Sequence, residues 1–111
     1  MPLNPIEIAR REKLAFEMIK ANFGTQAGEY SSTLFVSHHL ENIKGAYWEK
    51  HLGSAHPEPM QVLNILLSHW GEEDDNSTDS LYFTLPEDVT NYGLCVRFAE
   101  TGQIESITMD S

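Results

Sequence analysis

The apolar residues between Asn4 and Gly24 recur at the spacing of an α-helix and fall on one side of it, with charged residues on the other. The apolar members of this stripe are Ile8, Ala15, Phe16, Ile19 and Phe23. Asn4 is a favourable N-cap, Pro5 suits the first helical position, and Glu7 offers a carboxylate to the free N–H groups of the first turn. The pattern predicts a helix that packs on a core and ends at Gly24.

The next part of the chain predicts further helices from shorter patterns. Ser31 or Ser32 can cap a helix, although residues 33–36 are β-branched and aromatic enough to form a strand instead. Residues 46–52 have helical spacing and precede Gly53, and glycine commonly follows the last residue of a helix. We therefore expect a short helix there.

The second half of the chain predicts strands. The two prolines in residues 56–59 can begin a helix, which gives way to a strand over residues 65–70. Residues 80–85 predict another strand, bounded by a proline. Residues 91–111 predict a β-hairpin that turns at Thr101 and Gly102.

These elements predict one α+β domain over residues 1–111. In this fold, N-terminal helices pack on one face of a three- or four-stranded antiparallel sheet that ends in the C-terminal β-hairpin. A chain of 111 residues has the usual size of a single domain. Such a domain buries roughly two-thirds of the surface that its unfolded chain exposes.

The terminal hairpin can turn in two ways, because its one glycine can serve two geometries. A two-residue turn pairs Phe98 with Glu105 and Val96 with Ile107. It requires positive φ both at Gly102 and at the residue before it. This geometry leaves the cysteine of the first strand on the face opposite Val96.

The alternative is a type I turn in which Gly102 is the bulge residue, and it pairs Arg97 with Glu105. We favour this form because it places opposite charges across the strands and needs positive φ only at the glycine. It also turns three apolar side chains toward the sheet face opposite the helices, where they are available to a partner. These side chains are Cys95, Ile107 and Met109.

Charge limits the partners that the chain can bind. Seventeen acidic residues against seven basic ones give a formal net charge of −10, which repels nucleic acids and anionic membranes. The same charge attracts a basic protein. Four acids follow one another in the polar segment 71–79, which we interpret either as a solvated loop or as a docking element for a basic cleft. They are Glu72, Glu73, Asp74 and Asp75.

Cysteine usage and hydropathy point to the cytoplasm. Cys95 is the only cysteine, so an intrachain disulfide cannot form, whereas small secreted domains often carry several. The N-terminus has no secretory apolar region, and every apolar run is too short to cross a bilayer. We therefore expect a cytoplasmic protein.

No catalytic, metal or cofactor signature is present. No pair of the five histidines lies at i, i+4 with a helical carboxylate partner, and no Cys-x-x-Cys pair accompanies them. Cys95 lies in a strand without a glycine elbow or helix N-terminus to lower its pKa. The glycines are scattered and form no phosphate-binding loop. We expect no enzyme activity, no metal and no cofactor.

Several short motifs resemble the C-terminal part of a family of small acidic bacterial domains of unknown function. They are Asn91-Tyr92, Val96-Arg97-Phe98, Gly102-Gln103-Ile104 and the terminal residues 107–111. Domains of this general kind recur as immunity proteins beside secreted toxins. The family itself implies no activity. Charge, size and the missing catalytic signature, with this resemblance beside them, predict a non-enzymatic binding module, an immunity or antitoxin-like protein that neutralises a basic partner.

Two other functions stay open at this point. The chain can be a structural domain that self-associates as a homodimer through the second sheet face. A small enzyme built from distant histidines is the third hypothesis.

Overall fold

A computed structural model describes residues 4–70 and 80–110 of the chain. In that part of the chain four α-helices precede an antiparallel sheet of four strands, and the predicted α+β class is confirmed. The helices are α1 (Pro5–Asn22), α2 (Ser32–Asn42), α3 (Gly45–Leu52) and α4 (Pro59–Asn64). The strands are β1 (Leu67–Trp70), β2 (Ser80–Thr84), β3 (Gly93–Phe98) and β4 (Ile104–Asp110).

Helix α1 begins and ends as its sequence predicts. Asn4 is the N-cap, and its Oδ1 accepts a hydrogen bond from the Glu7 N–H at 2.8 Å. Gly24 follows the helix with a φ of +79°, which glycine adopts without steric cost. Ala15 and Ile19 on the apolar stripe are fully buried.

Helix α2 resolves the ambiguity at residues 33–36, and the strand alternative is wrong. Its buried residues recur at helical spacing, so one side of the helix lies in the core. They are Ser32, Phe35, Val36 and His39. Ser32 also donates its Oγ–H to the Ile19 carbonyl at 2.7 Å, which joins α2 to α1.

The sheet places its strands in chain order, β1-β2-β3-β4, and each strand pairs antiparallel with the next. One face of the sheet packs against the helices. It carries every second residue of the two central strands, because successive side chains of a strand point to opposite faces. They are Leu81, Phe83, Leu94, Val96 and Phe98. The helices cover this face, and both long edges of the sheet belong to β1 and β4.

The turn of the C-terminal hairpin has the favoured geometry. Gly102 has a φ of +89°, and its N–H donates to the Ala99 carbonyl at 2.9 Å. The Ala99 N–H donates to the Gln103 carbonyl at 2.9 Å, and Phe98 pairs with Ile104. This is the type I turn with Gly102 as the bulge residue.

Beyond the turn, the strands pair in the register predicted for the two-residue turn and not in the register of the favoured form. Arg97 pairs with Ser106 instead of Glu105, because Glu105 is an extra residue that forms a second bulge in β4. The extra residue shifts the alternation by one position. Ile107 consequently pairs with Val96, and Met109 pairs with Leu94.

The prediction that Cys95, Ile107 and Met109 share the second sheet face is therefore wrong. Ile107 and Met109 pack against the helix-covered core. Cys95 points to the opposite face, in register with Tyr82 and Thr108. The second bulge is the cause, since it returns the two apolar side chains of β4 to the core side.

Replacing Gly102 tests how the hairpin is held to α1. A Cβ at this position would meet the guanidinium of Arg10 and lie 2.9 Å from Glu7 Oε2, in addition to the cost of positive φ. Gly24 also has positive φ but has open space around it, so Gly24→Ala is the matched control. We expect Gly24→Ala to lower the free energy of unfolding by about 1 kcal/mol, and Gly102→Ala to lower it by more. Urea denaturation measures both, and equal losses would contradict a specific contact at the hairpin.

Candidate protein-binding edge

Strand β4 is the longest strand, and it forms one edge of the sheet. Among residues 4–70 and 80–110, no strand pairs with its outer side. Natural proteins often protect such an edge with charged residues, proline or a bulge. In β4 the bulge and the charges lie toward its two ends, at Glu105 and Asp110, and the strand contains no proline. The backbone groups between these ends are therefore available for pairing.

The hydrogen-bond alternation identifies which backbone groups face outward. Ala99 forms a backbone hydrogen bond with Gln103, so these two residues are a hydrogen-bonded pair. The next pair along the strands, Phe98 with Ile104, therefore exchanges no backbone hydrogen bonds. After the bulge, the pairs formed by Ile107 and Met109 are of the same kind, since every second pair is. Their N–H and C=O groups point away from β3 and toward the open edge.

A cleft of about 200 Å³ lies beside this edge on the helix side of the sheet. It separates β4 from the segment that leads into α2, and its lining residues are Ala27, Tyr30, Ser31, Ile107, Thr108 and Met109. Tyr30 is 77% exposed, an unusual fraction for a large aromatic residue. The cleft thus combines apolar walls with an exposed ring at its rim.

One polar side chain in the cleft has no partner. Ser31 is 3% exposed, and its Oγ makes no hydrogen bond within the described part of the chain. Ser31 is the N-cap of α2, but it makes no side-chain cap hydrogen bond. Its neighbours have other roles, since Ser32 binds the Ile19 carbonyl and Thr33 accepts from the Gly24 N–H at 2.8 Å. Among the described residues, Nε1 of Trp48 and Nε1 of Trp70 are also buried without a partner, and Ser31 is the one of the three that lines the cleft. A buried hydroxyl without a partner is costly.

Acidic side chains outnumber basic ones near the edge, where the basic groups are Arg97 opposite Ser106 and Arg10 at Gly102. Glu105 and Asp110 lie on β4 itself, and both are exposed. Glu29, the residue before Tyr30, is exposed as well. These carboxylates favour a basic molecule at the edge and disfavour an acidic one.

The predicted partner-binding residues fall into three groups. Ile107 and Met109 line the cleft. Cys95 is 4% exposed on the other face, and burial raises the pKa of its thiol. The acids Glu72, Glu73, Asp74 and Asp75 lie outside the described residues.

Four residues of the cleft are not predicted as binding residues from the sequence. They are Ala27, Tyr30, Ser31 and Thr108. Only Ser31 has a signal in the sequence, since two serines stand next to each other where a helix needs only one N-cap residue.

His39 is the only buried histidine among the described residues, and its contacts are structural. Its Nδ1 donates to the Phe35 carbonyl at 2.6 Å, because a carbonyl can only accept. In the neutral ring Nε2 then accepts from the Thr90 hydroxyl at 3.1 Å. Burial lowers the pKa of His39, which keeps the ring neutral. Both nitrogens are therefore occupied: Nδ1 bonds within α2, and Nε2 joins α2 to the β2–β3 connection.

A second cluster holds the other end of the same connection to α3. Glu87 has a φ of +67°, a strained value for a residue with a side chain. Its carboxylate contacts Lys50 Nζ and His51 Nε2, both at 2.7 Å, and these hydrogen bonds lower its pKa. The Tyr47 hydroxyl donates to the Pro86 carbonyl at 2.9 Å, and burial raises its pKa to about 12.

This arrangement suits anchoring better than acid–base chemistry. A carboxylate with a lowered pKa is a weak base, and a tyrosine with a pKa of about 12 is a weak acid. Within residues 4–70 and 80–110, no three His, Cys, Asp or Glu side chains come together as metal ligands. In the same ranges, no helix is long and apolar enough to span a membrane.

The buried histidine gives the fold a pH dependence. The unfolded chain binds a proton at His39 near the ordinary pKa of 6.5, whereas the folded chain binds it only at lower pH. This contribution to stability is complete above about pH 6.5 and is lost as the pH falls below it. We expect the free energy of unfolding of His39→Gln to change less over this range. His38→Gln is the control, and an unchanged slope in His39→Gln would contradict the assignment.

The open edge of β4 and the cleft beside it are thus the features of the described residues that fit a binding role. A fold alone does not define a function, which has to be argued from a site. The chain has no match among models of known protein families, curated proteins or solved structures.

Proposed function

We propose that this chain is a non-enzymatic protein-binding module that binds a basic partner, in the manner of an immunity protein or antitoxin. The observation that carries the proposal is the open edge of β4, with its outward N–H and C=O groups beside an apolar cleft. Such an edge supplies backbone hydrogen bonds for affinity, and the cleft supplies a pocket for specificity.

Charge supports a basic partner. The formal net charge of −10 accelerates encounter with a cationic protein over distances of about one Debye length, roughly 8–10 Å. We propose that the acids at residues 72–75 occupy a basic cleft of the partner, as phosphates would.

Self-association is the second candidate, and the same open edge favours it. Two copies can pair their β4 strands into one continuous sheet. The charge opposes this, since each copy contributes −10 and brings its own Glu105 and Asp110 to the contact. The basic partner is therefore the better occupant.

The proposed function has a salt-dependent signature. Affinity capture from the source lysate, followed by kinetics against the purified partner, should give an association rate that falls about tenfold or more as salt is raised. Neutralising residues 72–75 to the corresponding amides should reduce this salt dependence. As a charge-matched control, neutralising Glu12 and Glu17 on α1 should reduce it less than neutralising Glu72 and Glu73 alone. Failure to capture a partner, or binding indifferent to ionic strength, would contradict the proposal.

A further inference from the structure

We propose that β4 receives an extended basic segment of the partner as a fifth strand, and that one threonine-sized side chain of this segment enters the cleft and hydrogen-bonds to Ser31. This inference rests on the proposed function and specifies how the partner is held. It draws on the backbone of β4, the cleft and the charge around them.

The backbone supplies the first part of the recognition. Ile107 and Met109 direct their N–H and C=O groups to the open edge, so an extended segment can exchange up to four hydrogen bonds with them. After the bulge at Glu105, the strand runs regularly from Ser106 to Asp110. This regular part gives the added strand a defined register.

The cleft supplies the second part. On an added strand, alternate side chains point to the helix side of the sheet, beside Ile107 and Met109. The cleft of about 200 Å³ has room for a side chain the size of valine or threonine. Threonine is preferred, because its hydroxyl can pair with Ser31 Oγ, whereas valine leaves that buried oxygen without a partner.

Charge selects the class of segment. Glu105 and Asp110 stand at the two ends of the regular part of β4 and are exposed. Lysine or arginine at alternate positions of the added strand can reach these carboxylates, since cross-strand pairs of opposite charge are stabilising. A second copy of this chain brings acids to the same positions and is disfavoured.

The test uses a synthetic peptide, Lys-Val-Lys-Thr-Lys-Val-Lys, whose alternation puts the apolar residues and threonine on one face. A peptide of the same composition with its lysines in one block is the control for charge. We expect the alternating peptide to bind at millimolar concentration and to shift the amide NMR signals of Ile107 and Met109. No binding, equal binding of the block peptide, or shifts confined to other regions would overturn the inference.

Two substitutions at one position separate backbone from side chain. Met109→Pro removes the outward N–H while sparing the ladder to β3, and Met109→Leu keeps that N–H and a similar volume. We expect Met109→Pro to weaken peptide binding about tenfold, as the loss of one edge hydrogen bond and its register implies, and Met109→Leu to bind as the original chain does. Equal binding by the two variants would overturn the inference.

Ser31→Ala provides a second readout that does not depend on the proline variant folding. The original chain should prefer the threonine peptide over the same peptide with central valine by about fivefold. Ser31→Ala should abolish that preference while still binding both peptides. A preference that persists in Ser31→Ala would place the threonine elsewhere and overturn the cleft assignment.

The outcomes also separate this inference from the proposed function. If a partner is captured and binds Met109→Pro and Met109→Leu with the same salt-dependent affinity, the proposed function stands and the edge assignment is overturned. Peptide binding at β4 without any captured partner would support the edge and contradict the proposed function. A free chain that is dimeric, with Ile107 and Met109 amides protected from exchange, would assign the edge to a second copy and overturn the inference.

Discussion

The second bulge of the hairpin determines what each face of the sheet can do. With Glu105 as an extra residue, Ile107 and Met109 face the helical core, and Cys95 lies on the other side in register with Tyr82 and Thr108. A regular strand would turn these two partly buried side chains away from the core and lose part of the roughly 1.5–3 kcal/mol that full burial of such a side chain contributes. The apolar burial therefore favours the bulge, and the bulge determines which backbone groups reach the edge.

The position of that edge depends on a polar contact between α1 and the hairpin. Glu7 accepts from Arg10 at 2.7 Å and from Arg11 at 2.8 Å, and these hydrogen bonds lower its pKa to about 2. Arg10 in turn donates to the Gly102 carbonyl at 3.2 Å, and the Arg11 guanidinium lies 5.4 Å from the centre of the Phe98 ring. One carboxylate thus orients two arginines toward the hairpin, which fixes the start of β4 relative to the helices.

Local signals explain which parts of the fold could be predicted. Helix α1 has its cap, its proline and its apolar stripe within one segment, and Gly53 marks the end of α3. The turn at Gly102 could be predicted equally well, because glycine adopts the positive φ of this turn without steric cost. The register that we favoured beyond the turn was wrong, because the pairing there depends on burial by distant helices. Its signal was the spacing of Ile104, Ile107 and Met109, which share one face of a strand only if a residue is inserted between the first two.

The candidate site could be predicted only in part, because a cleft is made by residues distant in sequence. Ile107 and Met109 were chosen as binding residues on the assumption that they were exposed, whereas they line the cleft from the core side. Tyr30 and Ser31 join them only because α2 begins next to the edge of the sheet. Ser31 connects the fold to the proposed function most directly. The helix leaves its buried hydroxyl without a cap partner, and in the proposed complex a side chain of the second molecule supplies the missing hydrogen bond.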